Sequence, residues 1–152
     1  MVPLPRRVVI ASDHAGVEMK RRLREAMEAL GISAEDLGAV SGESVDYPDY
    51  AAAVAGRVSA GTADAGVLVC GTGIGMSIAA NKVEGIRAAV VTDEKTAALS
   101  RQHNDANIFC AGSRITPVVK IAECLKIWLQ TPFEGGRHLN RVAKIAAIEK
   151  SC

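Results

Sequence analysis

Aromatic residues and long apolar runs are both scarce in this chain of 152 residues. Only 3% of the residues are aromatic whereas 49% are hydrophobic, so the apolar fraction consists mainly of Ala, Val, Ile and Leu. That mixture is typical of strands buried between helices and favours a layered α/β protein. No segment reaches the roughly 18 uninterrupted apolar residues that a transmembrane helix needs, so we expect no membrane partner.

An excess of charge of one sign is lacking as well. The 18 basic and 17 acidic residues give a net charge of +1 and are spread along the chain without basic runs that are interleaved with aromatic residues. We therefore expect no nucleic-acid partner, because such binding usually needs a basic patch with interleaved aromatic residues. The first residues lack the apolar stretch of a secretory signal, which favours a cytoplasmic location.

Closely spaced cysteine pairs are also absent. None of the four cysteines belongs to a C-x-x-C pattern of the kind that builds zinc or redox sites, so we expect neither a metal ion nor a disulfide. Cys110 and Cys124 lie in apolar runs, which is typical of small core residues. Cys152 is terminal and carries no signal.

The chain does contain apolar strands that alternate with amphipathic helices. We predict strands at 8–11, 32–37, 65–70, 86–91 and 107–111. We predict helices at 17–30, 47–61, 76–82 and 93–103, around 118–128, and from about Gly136 onward. Strands and helices that alternate in this way form a parallel sheet with right-handed crossovers, and the length suits a single domain, residues 1–152.

The first of these helices has a clear apolar face. Met19, Leu23 and Met27 fall on that face, and we expect Lys20 and the neighbouring arginines to lie largely elsewhere. Gly31 is expected to end the helix.

A cysteine and a glycine-rich loop follow the strand predicted at 65–70. Cys70 ends the strand, and Gly71, Gly73 and Gly75 follow directly before a helix. Glycines allow backbone N–H groups to turn toward one point, and the helix N-terminus adds positive potential, so the segment is expected to bind an anion. The alternative is that Cys70 merely ends a buried strand at a tight turn, with Thr72 as an ordinary helix-capping hydroxyl.

The loop does not match the familiar nucleotide or phosphatase patterns. Met76 stands where G-x-G-x-x-G needs glycine and where a C-x5-R loop needs arginine, and G-x-x-x-x-G-K-[ST] is absent. A cysteine beside an anion-binding loop can instead supply a thiolate near neutral pH. That thiolate can remove a proton next to a carbonyl while backbone donors stabilise the oxyanion, which is enolisation. A phosphate- or nucleotide-binding module without catalysis remains the alternative.

Polar residues follow other predicted strands too. Asp13 and His14 come after the first strand and Arg114 after the last, so we expect them at the same carboxyl edge as Cys70. The segment at 103–105 follows a helix and precedes a strand, so its edge is not determined.

The last predicted helix carries basic residues at its start. Arg137 and Arg141 are four residues apart, and His138 lies beside them, so the three side chains could clamp a phosphate. A solvated charged stripe at the end of the chain is the alternative.

Several ordered blocks of the sequence closely resemble one family, ribose-5-phosphate isomerase type B, which also includes galactose-6-phosphate isomerase subunits. The blocks are S-D-H-A-G at 12–16, D-Y-P at 46–48, C-G-T-G-I-G at 70–75, A-A-N-K at 79–82, S-R-Q-H-N-D-A-N at 100–107, G-S-R at 112–114 and E-G-G-R-H at 134–138. The resemblance runs from the first strand to the last helix.

The resemblance implies a fold, an assembly and a reaction. The fold is an α/β, Rossmann-like three-layer sandwich with a parallel, roughly five-stranded sheet. The assembly is a homodimer or a dimer of dimers, with the C-terminal helix in the interface and active sites shared between subunits. The reaction converts ribose 5-phosphate to ribulose 5-phosphate and back through a cis-enediolate, in the pentose phosphate pathway and without a cofactor. Six-carbon substrates, allose 6-phosphate or galactose 6-phosphate, are the alternative.

The resemblance also implies roles for single residues. Cys70 would be the general base that takes the C2 proton, and His103 with Thr72 would open the furanose ring. The implied substrate-binding residues are Asp13, Tyr47 and Asn104 around the sugar, Gly71, Gly73, Ile74 and Gly75 around the enediolate, and His14, Arg114, Arg137, His138 and Arg141 around the phosphate. The three on the last helix would come from the partner chain.

Overall fold

A computed structural model describes residues 3–151, so Cys152 lies outside the described residues. The strands in this part of the chain are β1 (Val8–Ser12), β2 (Glu35–Asp36), β3 (Ala65–Cys70), β4 (Ala88–Val90) and β5 (Ile108–Gly112). The helices are α1 (Val17–Glu28), α2 (Tyr47–Ser59), α3 (Ile74–Ala80), α4 (Glu94–Gln102), α5 (Val118–Gln130) and α6 (Arg137–Lys150). A short 3-10 turn, His14–Gly16, precedes α1.

The strands form one parallel sheet in the order β2-β1-β3-β5-β4. β3 lies at the centre, and every residue of this strand is buried. Its ladder with β5 places Cys70 opposite Gly112, at the end of both strands. Because all the strands are parallel, their carboxyl ends share one edge, and the predicted α/β sandwich is confirmed.

Two hydrophobic cores lie on the two faces of the sheet. Successive strand residues point to opposite faces, so Phe109 packs with α1, α4 and α5, whereas Leu68 packs with α2 and α3. This gives the three predicted layers. Among residues 3–151, α6 contributes no side chain to either core, and its buried residue is His138.

The helix ends follow the expected local chemistry. Gly31, with a φ of 81°, terminates the turn after α1, as predicted. Pro48 stands in the first turn of α2. Asp93 accepts a hydrogen bond from Thr96 N–H in a capping box at the start of α4. In the described part of the chain, no helix combines the length and the apolar character needed to cross a bilayer.

Some boundaries differ from the prediction. β2 has only two residues and β4 only three, where the sequence predicted 32–37 and 86–91. Both are edge strands with a neighbour on one side only, so fewer ladder bonds define them. Helix α3 begins at Ile74 rather than Met76, because Gly73 adopts a φ of 80° and caps the helix inside the loop.

Lys20 is buried, so its predicted place away from the apolar face is wrong. The residue is 3% exposed, and its Nζ donates to Asp36 Oδ1 at 2.9 Å and to the carbonyl of Ala39. Lys20 lies three residues before Leu23, and helical residues at that spacing share a face. A buried ammonium therefore joins α1 to the end of β2 and to the segment that follows it.

Candidate active site

Cys70 and the loop after it occupy the centre of the carboxyl edge. The Cys70 side chain is almost buried, and Gly73 N–H donates to its Sγ at 3.1 Å. The loop is held against the end of β5, because Ser113 N–H donates to the Cys70 carbonyl and Arg114 N–H to that of Gly71, both at 2.9 Å. A backbone donor directed at sulfur stabilises negative charge there.

Two glycines bring the loop and β5 into direct backbone contact. A Cβ on Gly73 would lie 2.9 Å from the carbonyl carbon of Ala111, and φ at Gly73 is positive. A Cβ on Gly112 would lie 2.5 Å from the carbonyl carbon of Thr72. Neither position accepts a larger residue unless backbone moves, so the direction of the loop N–H groups is fixed by packing.

Tyr47 and Arg114 lie against the same loop. The ring of Tyr47, at the start of α2, lies 2.5 Å from where a Cβ of Gly75 would be. The guanidinium of Arg114 lies 3.1 Å from the corresponding position at Gly71. The exposed Thr72 uses its hydroxyl to accept the Ile74 N–H at 3.2 Å, the local capping contact considered above. An aromatic ring and a cation thus flank the loop.

Asp13 lies beside Cys70 because its N–H donates to the carbonyl of Val69 at 3.1 Å. The residue is 6% exposed, and its side-chain Oδ1 accepts the Ala15 N–H at 3.0 Å. Ser113 Oγ donates to the Ala15 carbonyl at 2.9 Å, which joins this turn to the end of β5. One carboxylate oxygen is thus used locally, and the other stays available to a ligand.

His14 is oriented by the loop before α2. Its Nδ1 accepts the Val45 N–H at 3.2 Å, so the ring proton lies on Nε2, which can donate to an anion. The same loop pairs with β1, since Ser12 N–H donates to Gly38 and Ala39 N–H donates to Ser12, both at 2.7 Å. His14 therefore lies where the sequence predicts it, at the carboxyl edge.

His103 and Asn104 lie at the opposite edge of the sheet. They follow α4 and precede Ile108, the first residue of β5, whereas Cys70 is level with the last, Gly112. Four residue steps of strand correspond to about 13 Å. Within one chain, His103 and Cys70 therefore do not meet.

The start of α6 lies beside His103. The rings of His103 and His138 are stacked, with centroids 4.2 Å apart and planes 14° apart. Burial first, and then the neighbouring His103 and Arg137, lower the pKa of His138, while Glu134 opposes this shift. The predicted site residues thus form two groups, the second at the amino edge with His103, Asn104, Arg137, His138 and Arg141.

Three arginines of these groups, Arg114, Arg137 and Arg141, are exposed. Within residues 3–151, no carboxylate lies within ion-pair distance of any of the three. A planar guanidinium without an acidic partner is suited to phosphate oxygens. Each edge of the sheet therefore offers a place for an anion.

One cluster has residue types that bind metals. His103, Glu134 and His138 each offer one ligand atom, all within 4.8 Å of one another. The imidazole lone pairs lie in the ring planes, and the two planes are nearly parallel, so the lone pairs do not converge on one ion. One ring would have to turn before both could bind a metal.

Most of the chain matches a single protein family. The sequence model described as ribose/galactose isomerase matches residues 8–145. The chain belongs to this family. Ribose-5-phosphate isomerase B of Escherichia coli is 43% identical over 145 residues, 95% of this chain and 97% of that protein. A Bacillus subtilis relative, whose name goes no further than a sugar phosphate isomerase, is 50% identical over 145 residues, again 95% and 97% of the two chains.

Solved structures of the ribose/galactose isomerase family share the fold. Ribose-5-phosphate isomerase B of Clostridium thermocellum has a TM-score of 0.94 at 46% identity, covering 95% of this chain and 98% of that one. The type B enzyme of Trypanosoma cruzi has a TM-score of 0.94 at 49% identity, covering 97% and 100%. The family membership indicated by the sequence blocks is therefore confirmed.

Two residues with contacts at the two groups, Ser113 and Glu134, were given no role from the sequence. A third residue, Lys20, was expected away from the apolar face, and its contacts with Asp36 and Ala39 lie outside both groups. The spacing of Lys20 from Leu23 was a usable signal, as was the position of Glu134 four residues before His138. The hydroxyl contact of Ser113 with Ala15 joins residues 98 apart in sequence, so no local pattern could reveal it.

Proposed function

We propose that the protein interconverts ribose 5-phosphate and ribulose 5-phosphate, with Cys70 as the general base. The observation that carries the proposal is the Gly73 N–H at 3.1 Å from Cys70 Sγ, in a loop fixed by backbone contacts. The names of the relatives from Escherichia coli and Clostridium thermocellum support the same substrate. We assign the reaction to the pentose phosphate pathway in the cytoplasm.

The chemistry needs a base and a set of oxyanion donors. The Cys70 thiolate removes the proton from C2, and the electron pair forms the C1–C2 double bond while negative charge moves to O1. A proton passes from O2 to O1, and Cys70 returns its proton to C1, which gives the ketose. The N–H groups of 71–75 stabilise the cis-enediolate between these steps, as preorganised donors do.

The complete site needs two copies of the chain. Cys70, with Asp13, Tyr47 and Thr72, lies at one edge of the sheet, and His103 lies at the other. A second copy would bring His103 to open the furanose ring and Asn104 to bind a sugar hydroxyl. We therefore propose a homodimer, or a dimer of dimers, with sites between subunits.

The last helix is suited to that interface. Leu139 and Ile145 of α6 are 62% and 42% exposed, and among the described residues the helix adds nothing to either core. Apolar side chains on a helix without a core function favour burial against another chain. Docking of α6 would carry Arg137 and Arg141 toward the phosphate held by His14 and Arg114 of the partner.

The experiment is a coupled isomerase assay with ribose 5-phosphate, allose 6-phosphate and galactose 6-phosphate. We expect the pentose to be preferred, and Cys70→Ala to lower kcat by about a thousandfold or more, because a general base contributes 10²–10⁴-fold. Inorganic phosphate should still bind this variant. Cys110→Ala is the matched control. Cys110 is fully buried in β5, the strand that pairs with β3, and its replacement should leave turnover unchanged.

Two outcomes would contradict the proposal. Substantial turnover by Cys70→Ala would remove the base, and phosphate binding without turnover by the native chain would favour a non-catalytic module. A preference for either hexose phosphate would contradict the proposed substrate and would leave the proposed isomerase reaction in place.

A further inference from the structure

We propose that His138 positions the imidazole of His103 by stacking against it and is not itself a phosphate ligand. The inference rests on the proposed function, because it concerns the histidine that would open the sugar ring. It differs from the resemblance, which groups His138 with the phosphate-binding residues.

The two rings form a close face-to-face contact. Their centroids are 4.2 Å apart and their planes differ by 14°. The χ2 torsion of a histidine is broad, so an otherwise free imidazole can turn through a wide range. A flat neighbour at this distance restricts the turn, and the nitrogens of His103 are thereby held in one direction.

Backbone contacts fix both partners of the stack. His103 N–H donates to the Leu99 carbonyl at 2.9 Å, as the cap of α4. Glu134 N–H donates to the Gln102 carbonyl at 3.0 Å, which joins the segment before α6 to the residue next to His103. The stack therefore depends on hydrogen bonds on both sides and not on the two side chains alone.

The surroundings of His138 are poorly suited to a phosphate ligand. Its side chain is 7% exposed and has the Glu134 carboxylate 3.9 Å from its Nε2. Burial, His103 and Arg137 lower the pKa of His138, which favours a neutral ring near pH 7. On the same helix Arg137 and Arg141 are exposed and always charged, so they meet the needs of a phosphate site better.

A pair of substitutions separates the two roles. His138→Phe keeps a flat ring and loses every hydrogen-bonding group, whereas His138→Asn keeps a donor and loses the ring. We expect His138→Asn to lower kcat by about tenfold to a hundredfold, since a small misplacement of a reacting group has effects of that size. His138→Phe should retain most of the native kcat, because it keeps the flat ring. The inhibition constant of inorganic phosphate should change less than about twofold in either variant, because no phosphate contact is removed.

The opposite pattern would overturn the inference. If His138 binds phosphate, His138→Asn retains activity better than His138→Phe, and both raise the inhibition constant. Arg137→Ala serves as the reference for a lost phosphate contact. If His138→Phe does not fold, the Asn variant still decides, since lost kcat with unchanged phosphate inhibition supports positioning and retained kcat contradicts it.

A measurement without substrate separates this inference from the proposed function. Because the two rings are stacked, we expect the His138 ring current to shift the imidazole proton resonances of His103 in the native chain. We expect His138→Asn to abolish that shift and His138→Phe to keep one. An unchanged His103 spectrum in the Asn variant would contradict the stack. A native chain that isomerises no sugar phosphate would instead overturn the proposed function.

Discussion

The ring of Tyr47 lies directly over Gly75, where a Cβ would be 2.5 Å from two ring carbons. Tyr47 is the first residue of α2 and Gly75 belongs to the first turn of α3, so the contact joins the two helices on one face of the sheet. Its consequence is that Tyr47 closes the side of the loop that follows Cys70. Only glycine leaves room for this ring at residue 75.

Gly75→Ala should therefore act through Tyr47. The added methyl group displaces the ring, and we expect kcat/KM to fall by about tenfold, but to fall little further when Tyr47 is already alanine, because contacting residues are not additive. A double-mutant cycle on kcat/KM with the single and double variants tests this. Fully additive losses would mean that the glycine acts on the loop backbone and not on the ring.

The buried Lys20 should be important for stability. Lys20 is 4% exposed at its side chain and pairs with Asp36, which is 24% exposed. Lys20→Met removes the ammonium from the Ala39 carbonyl and from Asp36, whose carboxylate keeps the Gly38 N–H at 2.9 Å and Arg24 at 3.7 Å. We therefore expect a loss of about 2–4 kcal/mol in the free energy of unfolding, a little below the cost for a fully buried pair.

Urea unfolding measures the effect of Lys20→Met, and Arg21→Met in the same helix is the control. Arg21 is 55% exposed and pairs with Glu18 on the surface, so its loss should change stability by less than about 1 kcal/mol. Similar losses for the two variants would show that the Lys20 contacts contribute no more than a surface pair.

Sites shared between subunits predict recovery of activity in mixed dimers. Cys70→Ala and His103→Ala chains should each be inactive alone. In a hybrid dimer one site carries both substitutions and the other carries neither, so an equimolar mixture after subunit exchange should regain about a quarter of native turnover. No recovery, with exchange confirmed by mass spectrometry of the intact dimers, would place both residues in one chain's site.

The lowered pKa of His138 predicts a loss of stability in mild acid. Burial is the main cause of the shift, with His103, Arg137 and Arg141 adding to it and Glu134 opposing it. The unfolded chain, with a histidine pKa near 6.5, then binds more protons than the folded chain. The contribution of His138 to the free energy of unfolding is fully present above about pH 6.5 and is lost as the pH falls toward the pKa that this residue has in the folded state.

Thermal unfolding at a series of pH values between about 7.5 and 5 tests this dependence against the reference histidine pKa. The decline of the native chain on acidification should be smaller in His138→Phe, which cannot titrate at that position. An identical decline in both chains would assign the acid sensitivity to another group.

Local sequence determined most of the sheet and half of the site. The apolar run that ends in Cys70 and the glycines after it lead to a buried central strand and a tight loop, and both are observed. Asp13, His14 and Arg114 directly follow strands, and the ends of parallel strands share an edge whatever the connections do. Their grouping therefore needed no knowledge of long-range contacts.

Tertiary structure alone decided the rest. His103 stands between a helix and a strand, and only the register of β5 with β3 shows that it lies at the edge away from Cys70. The burial of Lys20 depends on Asp36 and the Ala39 carbonyl, and the stack of His138 depends on α6 lying against the end of α4. Helical spacing indicates the face of α1 on which a residue lies, but these contacts join segments that are distant in sequence, so packing determines which partners meet.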